Sequence, residues 1–181
     1  MKDFVLKLAR EAIETYVKTG KKISVPKEYP KELNDKKGVF VTIYEHKELR
    51  GCIGFPYPQL PLIEGLIEAA VEACEDPRFP KLSKEELKDI SIEVSVLSKP
   101  ELISVKKPKD YLKEIKIGKD GLILICGAAG GLFLPQVPVE QKWDCEEYLE
   151  NLCYKAGLTS DVWLNPLTKI YRFKTEIFSE K

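Results

Sequence analysis

The chain has 181 residues, enough for one domain or two closely joined subdomains around a real core. Hydrophobic residues make up 44% and charged residues 32%, the balance of a globular, soluble chain. Lys+Arg and Asp+Glu are both 29, so the formal net charge is zero, which argues against nucleic acid as a bulk electrostatic partner and leaves only a local basic patch open.

Met1-Lys2-Asp3 leads straight into an amphipathic segment rather than a signal peptide. The longest apolar run, Leu122 to Leu134, is too short for a membrane span and is broken by glycines. The five cysteines (Cys52, Cys74, Cys126, Cys145 and Cys153) are odd in number and include no CxxC pair, so a reduced, cytoplasmic chain is expected. No metal site or other cofactor is expected either, since only His46 could join the thiols. High Lys/Glu content beside a single methionine points to a thermophilic source.

Asp3 can cap a helix whose apolar face is Phe4, Val5, Leu8, Ala12, Ile13, Tyr16 and Val17, ending at Gly20. Residues 21–37 are charged and carry two prolines, as a surface connection does. "GVFVTIYEH" alternates as a strand, and Lys47-Glu48 can turn the chain back into a second strand. Pro61 opens a helix with Leu62, Leu66, Ile67, Ala70, Val71 and Cys74 on one face, stopped by Asp76-Pro77.

Ser83 with Glu86 forms a capping box for a short helix to about Asp89. In "ISIEVSVLS", Ile92, Val94 and Val96 face one way, and Ser91, Glu93, Ser95 and Leu97 the other. A short helix follows Pro108. "IKIGKDGLILICGAAGGLFLPQV" reads as strands joined at Asp120-Gly121 and at a Gly127 to Gly131 turn. Asp144 with Glu147 caps a helix that buries Tyr148, Leu149, Leu152 and Cys153 and stops at Gly157, and "TKIYRFKTEIF" closes the chain as one strand. The fold class is α+β, with mainly antiparallel sheet and at least three helices.

The candidate chemistry gathers around "HKELRGCIGFP". Cys52 needs a positive or dipolar neighbour to act as a thiolate, and Arg50, two residues away on a regular strand, would share its face. Gly51 and Gly54 could let the backbone turn inward as an anion nest or yield to a ligand. The alternative is a small packing cysteine in a structural bend. Glu93 is either a solvated strand residue or a buried acid partnered by Arg50 or Arg78.

Arg78, on "EDPRFP", is either an ordinary residue of a helix stop or an arginine held on a rigid loop for a carboxylate or phosphate. "GAAGG" lacks the lysine and hydroxyl of a phosphate loop and reads as a tight turn. His46 is an exposed turn residue, or else one half of a Cys–His dyad.

At "LRGCIG" (Leu49 to Gly54) the sequence resembles the AMMECR family, named after the Alport syndrome, midface hypoplasia and elliptocytosis chromosomal region. The likeness continues through "EDPRFPKLSKEEL", "IEVSVLSKP", "GKDGLIL", "GLFLPQV", "KWD" and "LCYKAGL", nearly the whole chain. It implies a single domain over residues 1–181, built of two subdomains, with a cleft near the signature. It carries over no reaction. It implies a pathway shared with Memo-type and radical-SAM proteins, with these as candidate physical partners, and Leu49, Arg50, Gly51, Cys52, Ile53 and Gly54 as marked positions. Asp76, Pro77, Arg78, Phe79, Glu93, Pro135 and Gln136 are weaker additions.

Two functions follow from residues and resemblance together. One is an enzyme for a small molecule or modified residue, with Cys52 and Glu93 as catalytic candidates and Arg50, Gly51, Gly54 and Arg78 binding the ligand. The other is a non-catalytic binding or regulatory module. In the first, Arg50, Cys52, Arg78 and Glu93 should converge on one cleft.

Overall fold

The structure is a computed structural model that describes residues 1–180. Two compact units divide the chain: Met1–Leu97 with the C-terminal residues from Glu176, and Ser98–Thr175.

In the first unit, α1 (Lys2–Thr19) buries Val5, Leu8, Ala12 and Ile13 and ends where Gly20 takes a left-handed conformation, φ 73°. β1 (Gly38–Glu45) and β2 (Glu48–Phe55) form a hairpin. Its two turn residues are His46 and Lys47, at φ 51° and 70°, one position earlier than the sequence suggests. Two consecutive left-handed residues match the twist of a tight hairpin turn.

α2 (Leu62–Ala73) is buried on more than one face, including Ile63, Gly65 and Ala69 beside the expected apolar stripe. β3 (Ile90–Leu97) pairs antiparallel with β1, and the sheet order is β2-β1-β3-β8, with β8 spanning Thr175–Ser179. Val39, Val41 and Ile43 of β1 and Ile92, Val94 and Val96 of β3 share one core with α1 and α2. The alternation read from "ISIEVSVLS" therefore holds residue by residue.

The second unit contains β4 (Glu101–Leu102), α3 (Tyr111–Glu114), β5 (Gly121–Cys126), β6 (Ala129–Phe133), α4 (Val137–Glu140), α5 (Cys145–Lys155) and β7 (Lys169–Phe173). Its sheet order is β4-β7-β5-β6, with antiparallel pairing throughout. The Asp144–Glu147 capping box on α5 closes in both directions at 2.9 Å. Tyr148, Leu149, Leu152 and Cys153 are all fully buried, and Gly157 follows in the left-handed region. The fold class is α+β.

Four local expectations need correction. The closing "TKIYRFKTEIF" is split at Lys174, and its halves, β7 and β8, belong to different sheets. Residues 115–120 are a turn rather than a strand, held by the buried Asp120 carboxylate, which accepts from the Lys116 N–H at 2.8 Å and pairs with Lys174. The glycine-rich turn narrows to Gly127-Ala128, while Gly130 and Gly131 enter β6. Glu85–Lys88 is a single 3₁₀ turn, and of the expected box only the bond from the Ser83 N–H to Glu86 is present, at 2.7 Å. Among the described residues, no helix is long and apolar enough to cross a membrane.

Gly51 decides how closely α2 meets β2. A Cβ at that position would sit 2.3 Å from the carbonyl oxygen of Ala73, at the end of α2, and 3.6 Å from Cβ of Asp76. A backbone carbonyl cannot swing aside as a flexible side chain can. Gly51→Ala should therefore cost about 1–3 kcal/mol, in the range of an overpacked core. Guanidinium unfolding measures this, and an unchanged midpoint would contradict the packing described.

Candidate functional site

Residues directly opposite each other on paired strands point to the same face of a sheet. Thr42 of β1 lies opposite Cys52 of β2 on one side and opposite Glu93 of β3 on the other. The three side chains therefore form one row across the sheet, on the face away from the α1–α2 core. Thr42 is buried, and Cys52 and Glu93 are partly buried. The Thr42 hydroxyl donates to the Cys52 sulfur at 3.2 Å. Glu93 Oε2 accepts from Ser179 Oγ on β8 at 2.8 Å, which extends the row across all four strands.

β2 is an edge strand, so its outward backbone groups lack a neighbouring strand. At Cys52 an ion pair takes that neighbour's place. The Cys52 N–H donates to Asp76 Oδ2 at 2.9 Å, and Arg78 Nη2 donates to the Cys52 carbonyl at 3.3 Å. Asp76 also accepts from the Arg78 N–H at 3.0 Å, from Nε at 3.0 Å and from Nη2 at 2.6 Å. The Arg78 guanidinium, opposed by burial and aided by the two backbone N–H groups, holds the Asp76 carboxyl well below the usual carboxylate range. The Asp76 side chain is 1% exposed and that of Arg78 57%, so the pair anchors at its acid and opens at its base. Arg78 lies 5.6 Å from the Phe79 ring centroid, a further restraint on the guanidinium.

Arg50 takes a different path. The register slips between Ile43 and Tyr44, which face Gly51 and Leu49, so Arg50 is the extra residue of a bulge. A bulge breaks the two-residue alternation and re-aims the side chain. Arg50 makes a two-pronged pair with Glu86, at 2.6 Å from Nε and 3.2 Å from Nη2. Arg50 first of all, against burial, lowers the Glu86 pKa. The expected alignment of Arg50 with Cys52, and the expected partnership of Arg50 with Glu93, are thus replaced by a tie between β2 and the loop after α2.

The structure brings Cys52 into direct contact with Thr42, Asp76 and Arg78, and into one row with Glu93. It does not bring Arg50 there. Gly51 and Gly54 do not open the backbone to a ligand. The space beside Gly51 is filled by the end of α2, and beside Gly54 a Cβ would meet the Phe40 ring and the Val39 carbonyl at 2.4 Å. His46 sits exposed at the hairpin tip, four residues along β1 from Thr42, or roughly 13 Å at strand rise, so no Cys–His dyad forms.

Pro135 and Gln136 lie in the other unit, just ahead of α4. Thr42 escaped the sequence reading because its value depends on register, while Asp76 was marked only by the resemblance, since from the residues alone it reads as a helix stop. Burial pushes the Cys74 thiol up to about 12 and Cys145 up to about 11, and raises Cys153, so these three are held as thiols. No group of three or more metal-ligating side chains occurs among the described residues.

The AMMECR1 family model matches residues 6–178. A protein of Methanocaldococcus jannaschii is 55% identical, over 98% of this chain and 89% of its own. One from Pyrococcus abyssi is 53% identical, over 99% and 90%. The crystal structure of an uncharacterized protein from Pyrococcus horikoshii superposes with a TM-score of 0.88 at 51% identity, covering 98% of this chain and 90% of that one. These relatives come from thermophilic archaea.

Removing the Asp76 charge should cost about 1–3 kcal/mol near neutral pH, less than a fully buried pair because Arg78 is screened by solvent. The folded-state pKa of Asp76 is depressed, so its contribution is complete above the unfolded value of about 3.9 and is lost as pH falls towards the folded value. Asp76→Asn should therefore be clearly less stable than the native chain at pH 7, with the gap narrowing below about pH 4. Unfolding curves at both pH values measure it. A gap independent of pH would contradict a charged Asp76 anchor.

Proposed function

The chain belongs to the AMMECR1 family, and from the geometry around Cys52 we propose that it is an enzyme acting on an anionic small molecule or modified residue, with Cys52 as nucleophile or covalent anchor. The observation that carries this reading is the contact of one cysteine with a hydroxyl at its sulfur and an anchored, outward-opening arginine at its backbone.

In this proposal the Cys52 sulfur forms a bond to an electrophilic carbonyl carbon. The π electrons of that carbonyl move to its oxygen, and the Arg78 guanidinium offsets the charge. For this transfer the Thr42 hydroxyl turns from donor to acceptor at the sulfur, taking the thiol proton as it gives its own to the Glu93 carboxylate, its other neighbour in register. Asp76 is a positioning residue that fixes Arg78 and the Cys52 backbone. The proposal keeps the pathway implied by the resemblance, with Memo-type and radical-SAM proteins, as the setting of the reaction.

A non-catalytic module is the second reading, favoured by two observations: Arg50 is tied up internally with Glu86, and the space beside the two glycines is filled by protein.

Alkylation with iodoacetamide at pH 7, followed by peptide mapping, separates the two. For the enzyme, Cys52 should be modified about tenfold faster than the half-buried Cys126, and Arg78→Gln should slow Cys52 alone. Equal rates at Cys52 and Cys126 would favour the module.

A further inference from the structure

A second recess lies within Ser98–Thr175, on residues that the Cys52 reading does not use. It is a groove of about 270 Å³, bordered by the segment that follows β4 and by the turn that precedes β7. That volume falls just short of the roughly 300–1,000 Å³ typical of small-molecule clefts, so any occupant is small. Leu102, Val105, Pro108 and Pro166 give it apolar walls.

The polar groups on the groove are not equivalent. Thr168 Oγ1 donates to the Val162 carbonyl at 2.7 Å, and Asn165 Oδ1 accepts from the Leu167 N–H at 2.9 Å, so both are engaged within the protein. Tyr111 differs. Its ring belongs to the unit's core and the residue is 6% exposed, yet its hydroxyl has no hydrogen-bond partner among the described residues. A buried hydroxyl normally has one. The hydroxyl is not among the fully enclosed unpaired atoms, so the groove that Tyr111 lines is where a partner can reach it. Burial raises the Tyr111 pKa, which keeps the phenol a donor.

Charge supplies the second observation. Lys106 and Lys169 line the groove, and neither has a carboxylate within ion-pair distance among the described residues. No lining residue is acidic. Two unpaired ammonium groups and one unpaired phenol donor, over apolar walls, match an acid with an apolar body. Lysines act as point charges that serve a carboxylate or a phosphate alike, and the small volume of the groove favours the smaller carboxylate.

We propose that this groove is a binding site for a small apolar carboxylate, its acid group held by Lys106 and Lys169 and by the Tyr111 hydroxyl. The site is independent of Cys52 and stands whether or not that thiol reacts.

Titration of the ¹⁵N-labelled full chain with benzoate, followed by amide chemical shifts, tests it. Saturable shifts should appear at residues 104–106, 111 and 168–169, and benzylamine should produce none. Lys106→Gln with Lys169→Gln should weaken benzoate binding about tenfold or more. Tyr111→Phe, which removes a hydroxyl the protein does not use, should weaken it several-fold and leave the thermal midpoint unchanged. Absence of saturable shifts at these residues would overturn the proposal. So would equal binding of benzylamine, binding of phenyl phosphate without benzoate, or unaltered binding by the double lysine variant.

Discussion

The buried carboxylate of Asp76 is the interaction on which the first unit's candidate site depends. It accepts four hydrogen bonds, one from the backbone of Cys52 and three from Arg78. An edge strand exposes unpaired N–H and C=O groups that invite other chains. Here a single Asp–Arg pair covers both groups of Cys52. The same bonds fix the cysteine's backbone and orient the guanidinium beside it. Closing the edge and building the site are therefore one structural act.

That arrangement needs α2 and β2 to approach closely, which Gly51 permits because Ala73 O occupies the place of a side chain. It also needs the loop after α2 to stay against the strand. Arg50 and Glu86 provide a second tie, with Glu86 ten residues after Asp76, and the Leu82 N–H donates to Cys74 O at 2.9 Å within the same loop. The resemblance motif is thus largely explained by packing and pairing. Its glycines admit neighbouring protein, its arginine holds a loop, and its cysteine, with Leu49, keeps a side chain on the other face of the sheet.

Much of the fold was legible because it follows local rules. The α1 stripe, the Gly20 and Gly157 stops, the α5 capping box and the alternation of β3 all depend on residues a few positions apart. What was not legible depends on partners far along the chain. The bulge at Arg50 is visible only in the pairing of β1 with β2, and it overturns the inference from two-residue spacing. The division of "TKIYRFKTEIF" at Lys174 sends one alternating stretch into two different sheets, which alternation alone does not reveal. Thr42 reads as an ordinary strand threonine until register sets it between Cys52 and Glu93. The Tyr111 groove carries no motif, since its lysines come from segments some sixty residues apart.

The central claim is that Asp76 takes the place of a neighbouring strand at Cys52. Native-state amide exchange reads this directly, because Gly54, two residues on, directs its N–H to the same open edge without an Asp76 to receive it. The Cys52 amide should exchange slowly, close to the limit set by unfolding of the unit, while the Gly54 amide exchanges fast. Equally fast exchange at both positions would contradict the account.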